Sequence, residues 1–562
     1  MRNTFITTVA LRDSFLRETL VIGCILFALK LMIIQYGMPY MVHVDEAMIS
    51  TDPLKIMLGY SAGDFSKSTN LYNWFLLFWT GCIFVLGQVF GWWHGVDSFK
   101  TYLIAFPEEV VLWGRILSVV LSTLAAVILI RLVCSITGNR TMRWLLSCLI
   151  VFNPLELNSV NWVKFDAAAY LVYAVVLYLG YHYFVLRREG FRWPVYLALY
   201  AGIGVRIEMV MYVAGFLLSD FLLTYRQGVA GVVRRLFWPQ VGGVVLYLVV
   251  TLTPLTLFHT SAPTTDSLTT SPTFQQAIWE KLPSWSHLVD VLGSSPFYLY
   301  ALVSTLGPLV IYFAFGALRG RQWFILIPFV INCAMLCVFP IKQVHYLLSV
   351  SVLIMVGAIL FISGREYRTA VRLAVVGVLW SGSLYAYESY QLLWYGDVRL
   401  SAREYLLEHT QPEEKIYVEG VFSAIYDKRE RYALRAKASR ESGSTGLSNE
   451  YFSQSLDDQD TRFVTQVSNW EPFSATAYEN LFTNRYDTAM LRRDRPVYYV
   501  YVAPRTSANM DDLERMVFPE YHRNVLQNYH LEKTFDYPIY DPRVRYSNFY
   551  YFHRVSVYRI NS

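Results

Sequence analysis

Apolar stretches close to 20 residues long recur through roughly the first 390 residues of the chain. At 1.5 Å of rise per residue, such a stretch matches the ~30 Å hydrocarbon layer of a bilayer. No water reaches backbone groups there, so each stretch must satisfy its own N–H and C=O groups as a helix. We read spans at about 15–36, 110–134, 144–161, 167–186, 193–205, 208–225, 236–258, 296–318, 322–340, 344–362 and 371–391, eleven in all. Composition agrees: 54% of the 562 residues are hydrophobic and only 16% are charged, with a mean hydropathy of +0.32. A water-soluble chain carries about 25% charged residues. The net charge of +5 is small for this length and fits cytoplasmic Lys/Arg anchoring, not nucleic-acid binding.

Lys and Arg orient the spans. Arg2, Arg12 and Arg17 precede the first, which places the N-terminus in the cytoplasm. Arg131, Arg140 and Arg143 mark a later inner loop, as do Arg187/Arg188/Arg192, Arg226/Arg234/Arg235, Arg319/Arg321 and Arg365/Arg368/Arg372. These loops alternate correctly only if the Trp-rich segment 72–94 ("NWFLLFWTG", "FGWWHG") does not span. We therefore expect 37–109 to be one long outer loop holding a helix that lies in the membrane interface. The first apolar run lacks a small-residue cleavage site and reads as an anchor. All six cysteines precede residue 340 in apolar segments, and none has metal-ligand spacing.

From about residue 395 the composition turns polar, and no further run can span. "VRLSAREYLLEH" has helical periodicity, while "EKIYVEG", "RPVYYVYVAP" and "FHRVSVYRI" read as strands. The stretch 436–460, rich in Ser and Gly, reads as a loop. The expected architecture is a polytopic α-helical membrane domain over 1–394, followed by a soluble α/β domain over 395–562 on the outer side.

Polar residues that interrupt this pattern gather on the outer side by the same count. Asp45 and Glu46 follow the first span in "MVHVDEAMIS". Lys67 lies in "DFSKSTNLYNW"; Arg115, Ser118 and Ser122 share one face of "WGRILSVVLSTLAA". Lys164 and Asp166 occur in "NSVNWVKFDAAAY", and Lys342, His345 and Tyr346 in "PIKQVHYLLSV". Carboxylates beside cations at a membrane face can hold an anionic headgroup next to a general base. Each residue also has a structural explanation. Arg115, Lys164 and Lys342 can snorkel at helix ends. Asp45 can cap a helix, Lys67 can be a solvated loop lysine, and His345 a membrane-edge histidine. His43 has no second His at ligand spacing, so no metal site is read there.

Several of these motifs resemble those of the GT-C glycosyltransferases, in the bacterial branch related to protein O-mannosyltransferases and aminoarabinose transferases. "HVDEA" resembles the acidic motif of the first outer loop, and "DFSKSTNLYNW" the Lys-containing stretch before the juxtamembrane helix. "GRILSVVLSTLAAVILIRLV" resembles the Arg-x-x-Ser helix, "VKFDAAAYLVY" the second-loop Asp, and "VHYLLSVSVLIMVGA" the late Arg-Tyr helix. "DVRLSAREYLLEHTQPEEKIYV" resembles the opening of the C-terminal outer domain. The chain departs from the family in two places: Ser66 and Ser68 flank Lys67, where relatives carry an acid and a Pro, and His345 replaces the usual Arg. The missing acid helps bind metal in the aminoarabinose branch, so no metal and no other cofactor is expected. No WWDYG-like motif occurs, which argues against an oligosaccharyltransferase.

The resemblance implies a GT-C enzyme in a bacterial inner membrane that takes a sugar from a polyprenyl-phosphate donor by inverting displacement. It implies Asp45 as base, with Glu46 and Asp166 in supporting catalytic roles, and Lys67, Arg115, Lys342 and His345 on the donor phosphate. Expected partners are the lipid-linked donor, an acceptor of unknown identity and membrane lipids. A transporter or flippase, or a non-catalytic scaffold, is the alternative; a transporter would favour midplane charges and broken helices.

Overall fold

A computed structural model describes residues 2–36, 70–105, 107–160, 162–206, 208–225, 228–257, 296–320, 322–338, 346–411, 414, 416–420, 463–466, 491–493, 495–504, 519–537 and 553–561. In chain order the helices are α1 (Arg2–Ile33), α2 (Asn70–Val89), α3 (Val96–Ala105), α4 (Pro107–Ile136), α5 (Arg140–Val151), α6 (Pro154–Val160) and α7 (Asp166–Gly180). They continue as α8 (Arg192–Ile203), α9 (Met209–Thr224), α10 (Gly228–Leu257), α11 (Pro296–Leu306), α12 (Pro308–Gly320), α13 (Trp323–Val338), α14 (Leu347–Ser363), α15 (Tyr367–Trp394) and α16 (Val398–His409). Strands β1 (Ile416–Gly420), β2 (Phe463–Gln466) and β3 (Tyr498–Pro504) follow, then α17 (Pro519–Asn528), β4 (Tyr529–Phe535) and β5 (His553–Ile560). The chain divides into two compact units. One holds Met1–Ile34, Ser61–Trp79 and Arg115–Glu388; the other holds Gln35–Tyr60, Thr80–Gly114 and Ser389–Ser562.

Among the described residues the first unit contains helices and no strand. Across both units, four helical stretches among the described residues are long and apolar enough to cross a membrane: Leu71–Val89, Glu109–Ile136, Asp166–Val185 and Tyr367–His409. A fifth is possible if one bent pair counts as a single span. Shorter apolar helices of 10–17 residues add to these, and eleven remains the count read from the sequence. The segment expected to lie in the interface thus has the length of a span, although only 22% of its apolar window is buried. At the centre sits α14, apolar all round and buried along most of its length, as a helix without a polar face must be. It packs on α12, while α9 pairs with α13 and α8 with α10. Gly215 lets α9 approach α13, because a Cβ there would come within 2.6–2.8 Å of Pro328.

Two expected spans prove to be broken. The run 144–161 ends as α5 at Val151 and restarts as α6 at Pro154. Pro154 cannot continue a helix from inside it, and Asn153 Oδ1 instead accepts the Leu155 N–H at 3.2 Å. The run 296–318 bends by 102° between α11 and α12. The hinge is Gly307, whose φ of +44° suits glycine, followed by Pro308.

A polar knot closes the other end of α7. The buried Asp220 carboxylate accepts from Tyr183 at 2.8 Å and Tyr196 at 3.1 Å, and Arg235 donates to the Tyr183 hydroxyl at 3.0 Å.

Among the described residues the second unit contains a five-stranded mixed sheet in the order β2-β1-β3-β5-β4. Strand β1 runs parallel to both β2 and β3, while β5 is antiparallel to β3 and β4. Residues 498–502 of β3 are buried on both faces, which makes β3 a covered central strand. Its core is rich in tyrosine: Tyr417, Tyr499, Tyr501 and Tyr529 pack with Leu491 and Val525. Helix α16 lies against β5 and β4. It begins where expected, with Asp397 as N-cap accepting from Arg399 N at 3.0 Å. The same carboxylate forms an ion pair with the buried Arg399 guanidinium. Beside it Tyr537 donates to Gly396 O at 2.8 Å and meets the Tyr36 hydroxyl at 2.9 Å. An aromatic cluster completes the described residues of this unit. Trp93 is buried against Phe99, Tyr102 and Trp113, with its indole N–H donating to Phe84 O at 2.7 Å. The expected loop 436–460 lies outside the described residues.

Candidate functional site

Of the seven candidate residues, Arg115 and Asp166 are described; Asp45, Glu46, Lys67, Lys342 and His345 lie outside the described residues. Arg115 and Asp166 belong to one connected set of groups at helix ends in the first unit. Arg115 is only 1% exposed, so it is held inside the protein and does not snorkel to solvent. Its Nη1 donates to Ile34 O, just past the end of α1, at 2.6 Å. Its guanidinium lies 4.8 Å from the Trp162 ring centroid, a cation–π distance. One turn along α4, Ser118 Oγ donates to Trp162 O at 2.7 Å. The i, i+3 spacing seen in the sequence therefore fixes a single tryptophan from two sides. Lys164 is buried as well.

Four residues after Trp162, Asp166 opens α7. An acid in the first turn suits the positive end of the helix dipole. Asp166 is 1% exposed and forms an ion pair with Arg206, at the end of α8. Arg206 Nε also reaches Glu208 Oε2 at 3.1 Å. The guanidinium sits against the rings of Phe165 and Tyr346, 5.2 and 5.4 Å from their centroids. Beside it opens a small cavity of about 40 Å³, lined by Tyr173, Arg206, Glu208, Met211, Asn332, Met335, Leu336, Tyr346 and Ser349. Leu71 N donates to Gly204 O at 3.1 Å, which brings the start of α2 to the same rim.

A second polar group lies deeper. Ser122 is seven residues along α4 from Arg115, about 10 Å of helix. Its hydroxyl accepts from Lys30 Nζ at 2.9 Å, and Lys30 forms an ion pair with Glu156. Both charged side chains are buried, at 0% and 2% exposed.

Sequence reasoning missed Lys30, Glu156, Arg206, Glu208 and Asn332 as site residues. The signal was present for four of them: "FALKLMII", "FNPLELNSV" and "GIGVRIEMV" each set a charge inside an apolar run, where ionisable groups are costly and usually functional or paired. Asn332, in "FVINCAML", gives no such signal. Among the described residues no three His, Cys, Asp or Glu side chains gather as a metal site.

No protein-family profile matches the sequence, and no curated protein matches it. Among solved structures the chain is similar to the crystal structure of ArnT from Cupriavidus metallidurans bound to undecaprenyl phosphate. The identity is 13%, with 97% of each chain covered and a TM-score of 0.45. It is likewise similar to the same protein in the apo state, at 12% identity, 98% of each chain and a TM-score of 0.42.

Proposed function

We propose that the chain is a membrane glycosyltransferase that moves a sugar from a polyprenyl-phosphate donor to an acceptor hydroxyl on the outer face. The observation that carries this reading is the shared rim. Arg115 lies against Trp162, and four residues along the chain Asp166 pairs with Arg206, which lies against Tyr346, at helix ends in a unit that is otherwise largely apolar. Leu71, four residues after Lys67, and Tyr346, next to His345, are at this rim too. In the proposed reaction Asp45 takes the acceptor proton as the acceptor oxygen attacks the anomeric carbon. The bond from that carbon to the phosphate oxygen breaks, and polyprenyl phosphate leaves with the electron pair. Arg115, already fixed by a carbonyl and an indole, would stabilise the leaving phosphate with Lys67, Lys342 and His345. Preorganised cations need no rearrangement as charge develops. Asp166 and Glu46 would orient the acceptor.

The test is transfer from radiolabelled polyprenyl-phosphate sugars by the purified, reconstituted protein. Turnover is expected from the wild type and a loss of at least ~100-fold from Asp45→Asn, with unchanged insertion and melting. Wild-type turnover by a folded Asp45→Asn variant removes Asp45 as base. The proposed topology places the N-terminus in the cytoplasm, so tags at residues 100 and 450 should both report outside.

The 102° bend at Gly307 and the break before Pro154 favour a second reading, a transporter. Movement of the labelled lipid across vesicles without any sugar transfer would support that reading instead.

A further inference from the structure

The turn that follows α7 gathers cations of its own. Helix α7 runs into a single turn of π-helix, Tyr181–Val185, a form found mostly at functional sites. The chain then turns through Arg187, whose φ of +56° puts a residue with a Cβ in the left-handed region, a strained conformation. Four guanidiniums lie on this turn and the neighbouring start of α10: Arg187, Arg188, Arg192 and Arg235. Two of them are engaged. Glu189 reaches Arg235 at 2.5 Å and Arg192 at 3.8 Å, and Asp220 lies 3.8 Å from Arg235. Arg187 and Arg188 are exposed, and neither pairs with a carboxylate among the described residues. Arg188 Nη1 faces His182 Nδ1 at 3.5 Å. A guanidinium only donates, so Nδ1 is the accepting nitrogen of a neutral imidazole. The ring thus orients Arg188 without cancelling its charge, and it is itself buried against Phe191, with centroids 4.8 Å apart.

Beside these cations the surface turns apolar. Val185, Leu186, Trp193, Phe237 and Trp238 are all exposed, the last by 59%. Trp193 lies on α10, where its ring would stand 2.6 Å from a Cβ at Gly242. Trp238 is one turn before Gly242 on the same face. Arginines without carboxylate partners attract an anionic headgroup, and exposed indoles favour the level of the membrane interface. A soluble phosphate would engage the arginines and leave the apolar flank bare. A phospholipid covers both. We infer that this turn is a binding site for an anionic phospholipid, with Arg187 and Arg188 on the phosphodiester and Trp193 and Trp238 along the glycerol and the upper acyl chain. It is separate from the candidate donor site. Asp166 opens α7, and the 15 residues of that helix, about 22 Å of length, lie between the two. The inference needs only a bilayer around the helical unit and not the transferase reading.

The test is native mass spectrometry of the full chain, released from detergent in the presence of equimolar phosphatidylglycerol and phosphatidylcholine. The wild type should retain phosphatidylglycerol in preference. Arg187→Gly and Arg188→Ala should each lower its affinity about fivefold, and together about 30-fold, the scale of one headgroup contact per arginine. Glycine suits the φ at position 187, so Arg187→Gly removes the charge without straining the turn. Arg365→Ala takes an exposed arginine from a different turn and should leave retention unchanged. Glycerol 3-phosphate, a head without chains, should not displace the lipid at equal concentration. Equal retention of the two lipids, an equal loss in Arg365→Ala, or displacement by glycerol 3-phosphate overturns the proposal. A dimer of the chain that the two substitutions together abolish assigns this face to a second copy and overturns it as well.

Discussion

Replacing Lys30 by Met should destabilise the helical unit far more than replacing Lys30 and Glu156 together. Both side chains are buried, and each is the ion-pair partner of the other. Removing one partner strands a charge in a low-dielectric interior, which costs about 3–5 kcal/mol. Glu156→Leu alone leaves Lys30 with the Ser122 hydroxyl at 2.9 Å, a bond worth roughly 1.5–3 kcal/mol to a charged group, so its cost should fall toward the lower end. The double variant Lys30→Met/Glu156→Leu strands nothing, and apolar replacement of buried pairs is neutral or stabilising by about 1–4 kcal/mol. The coupling energy of the cycle should therefore be at least about 3 kcal/mol, more than a hundredfold in the unfolding constant. Reversible unfolding by SDS in bicelles gives all four corners of the cycle. If the double variant loses the sum of the two single losses, the residues do not act as a pair and the reasoning is wrong. A Lys30→Met variant as stable as the wild type refutes it equally.

Other substitutions probe particular contacts. Gly307→Ala must take up a φ of +44° and set its Cβ 2.4 Å from the Trp380 ring; a loss of at least ~2 kcal/mol is expected in the same assay. Asp397→Ala removes both the cap of α16 and the partner of the buried Arg399, which should cost about 3–5 kcal/mol. Asp397→Asn keeps a capping oxygen and should cost less, as read by the denaturant midpoint. Burial, and then the negative charge of Asp397, raise the Tyr537 hydroxyl above its ordinary 10.0. The folded state then keeps a proton that the unfolded state has lost, so the contribution is intact below pH 10 and declines above it. In Tyr537→Phe the fall in melting temperature above pH 10 should be shallower than in the wild type.

Helices and strands with strong local patterns were legible in the sequence. Helix α16 follows from the apolar spacing of "VRLSAREYLLEH" and its Asp cap, and β1, β3 and β5 from runs of Val and Tyr. Strand β4, "YHLEKTF", escaped because it lies at the edge of the described sheet, with His530, Leu531, Lys533 and Thr534 exposed. Strand β2 has only four residues. The breaks at Pro154 and Gly307–Pro308 carried turn signals, but the apolar runs around them were long enough to read as single spans. Arg115 and Asp166 were recognised because each interrupts an apolar helix. Arg206, the partner of Asp166, was not, because it lies 40 positions away, and the Lys30–Glu156 pair was missed because its members lie 126 apart. No local spacing encodes a contact that only tertiary packing creates.

The position of β5 has a consequence for how this protein is made. The ribosome delivers β1, β2, β3 and β4 before His553 emerges, yet β5 is the strand that joins β3 to β4. Until then β3 presents an unpaired edge, rich in Tyr and Val, on a nascent chain. Such an edge pairs readily with other strands. The interval between translation of residue 504 and residue 560 is therefore when the sheet is most exposed to misassembly. A holdase that shields this edge would matter most in those few seconds of synthesis.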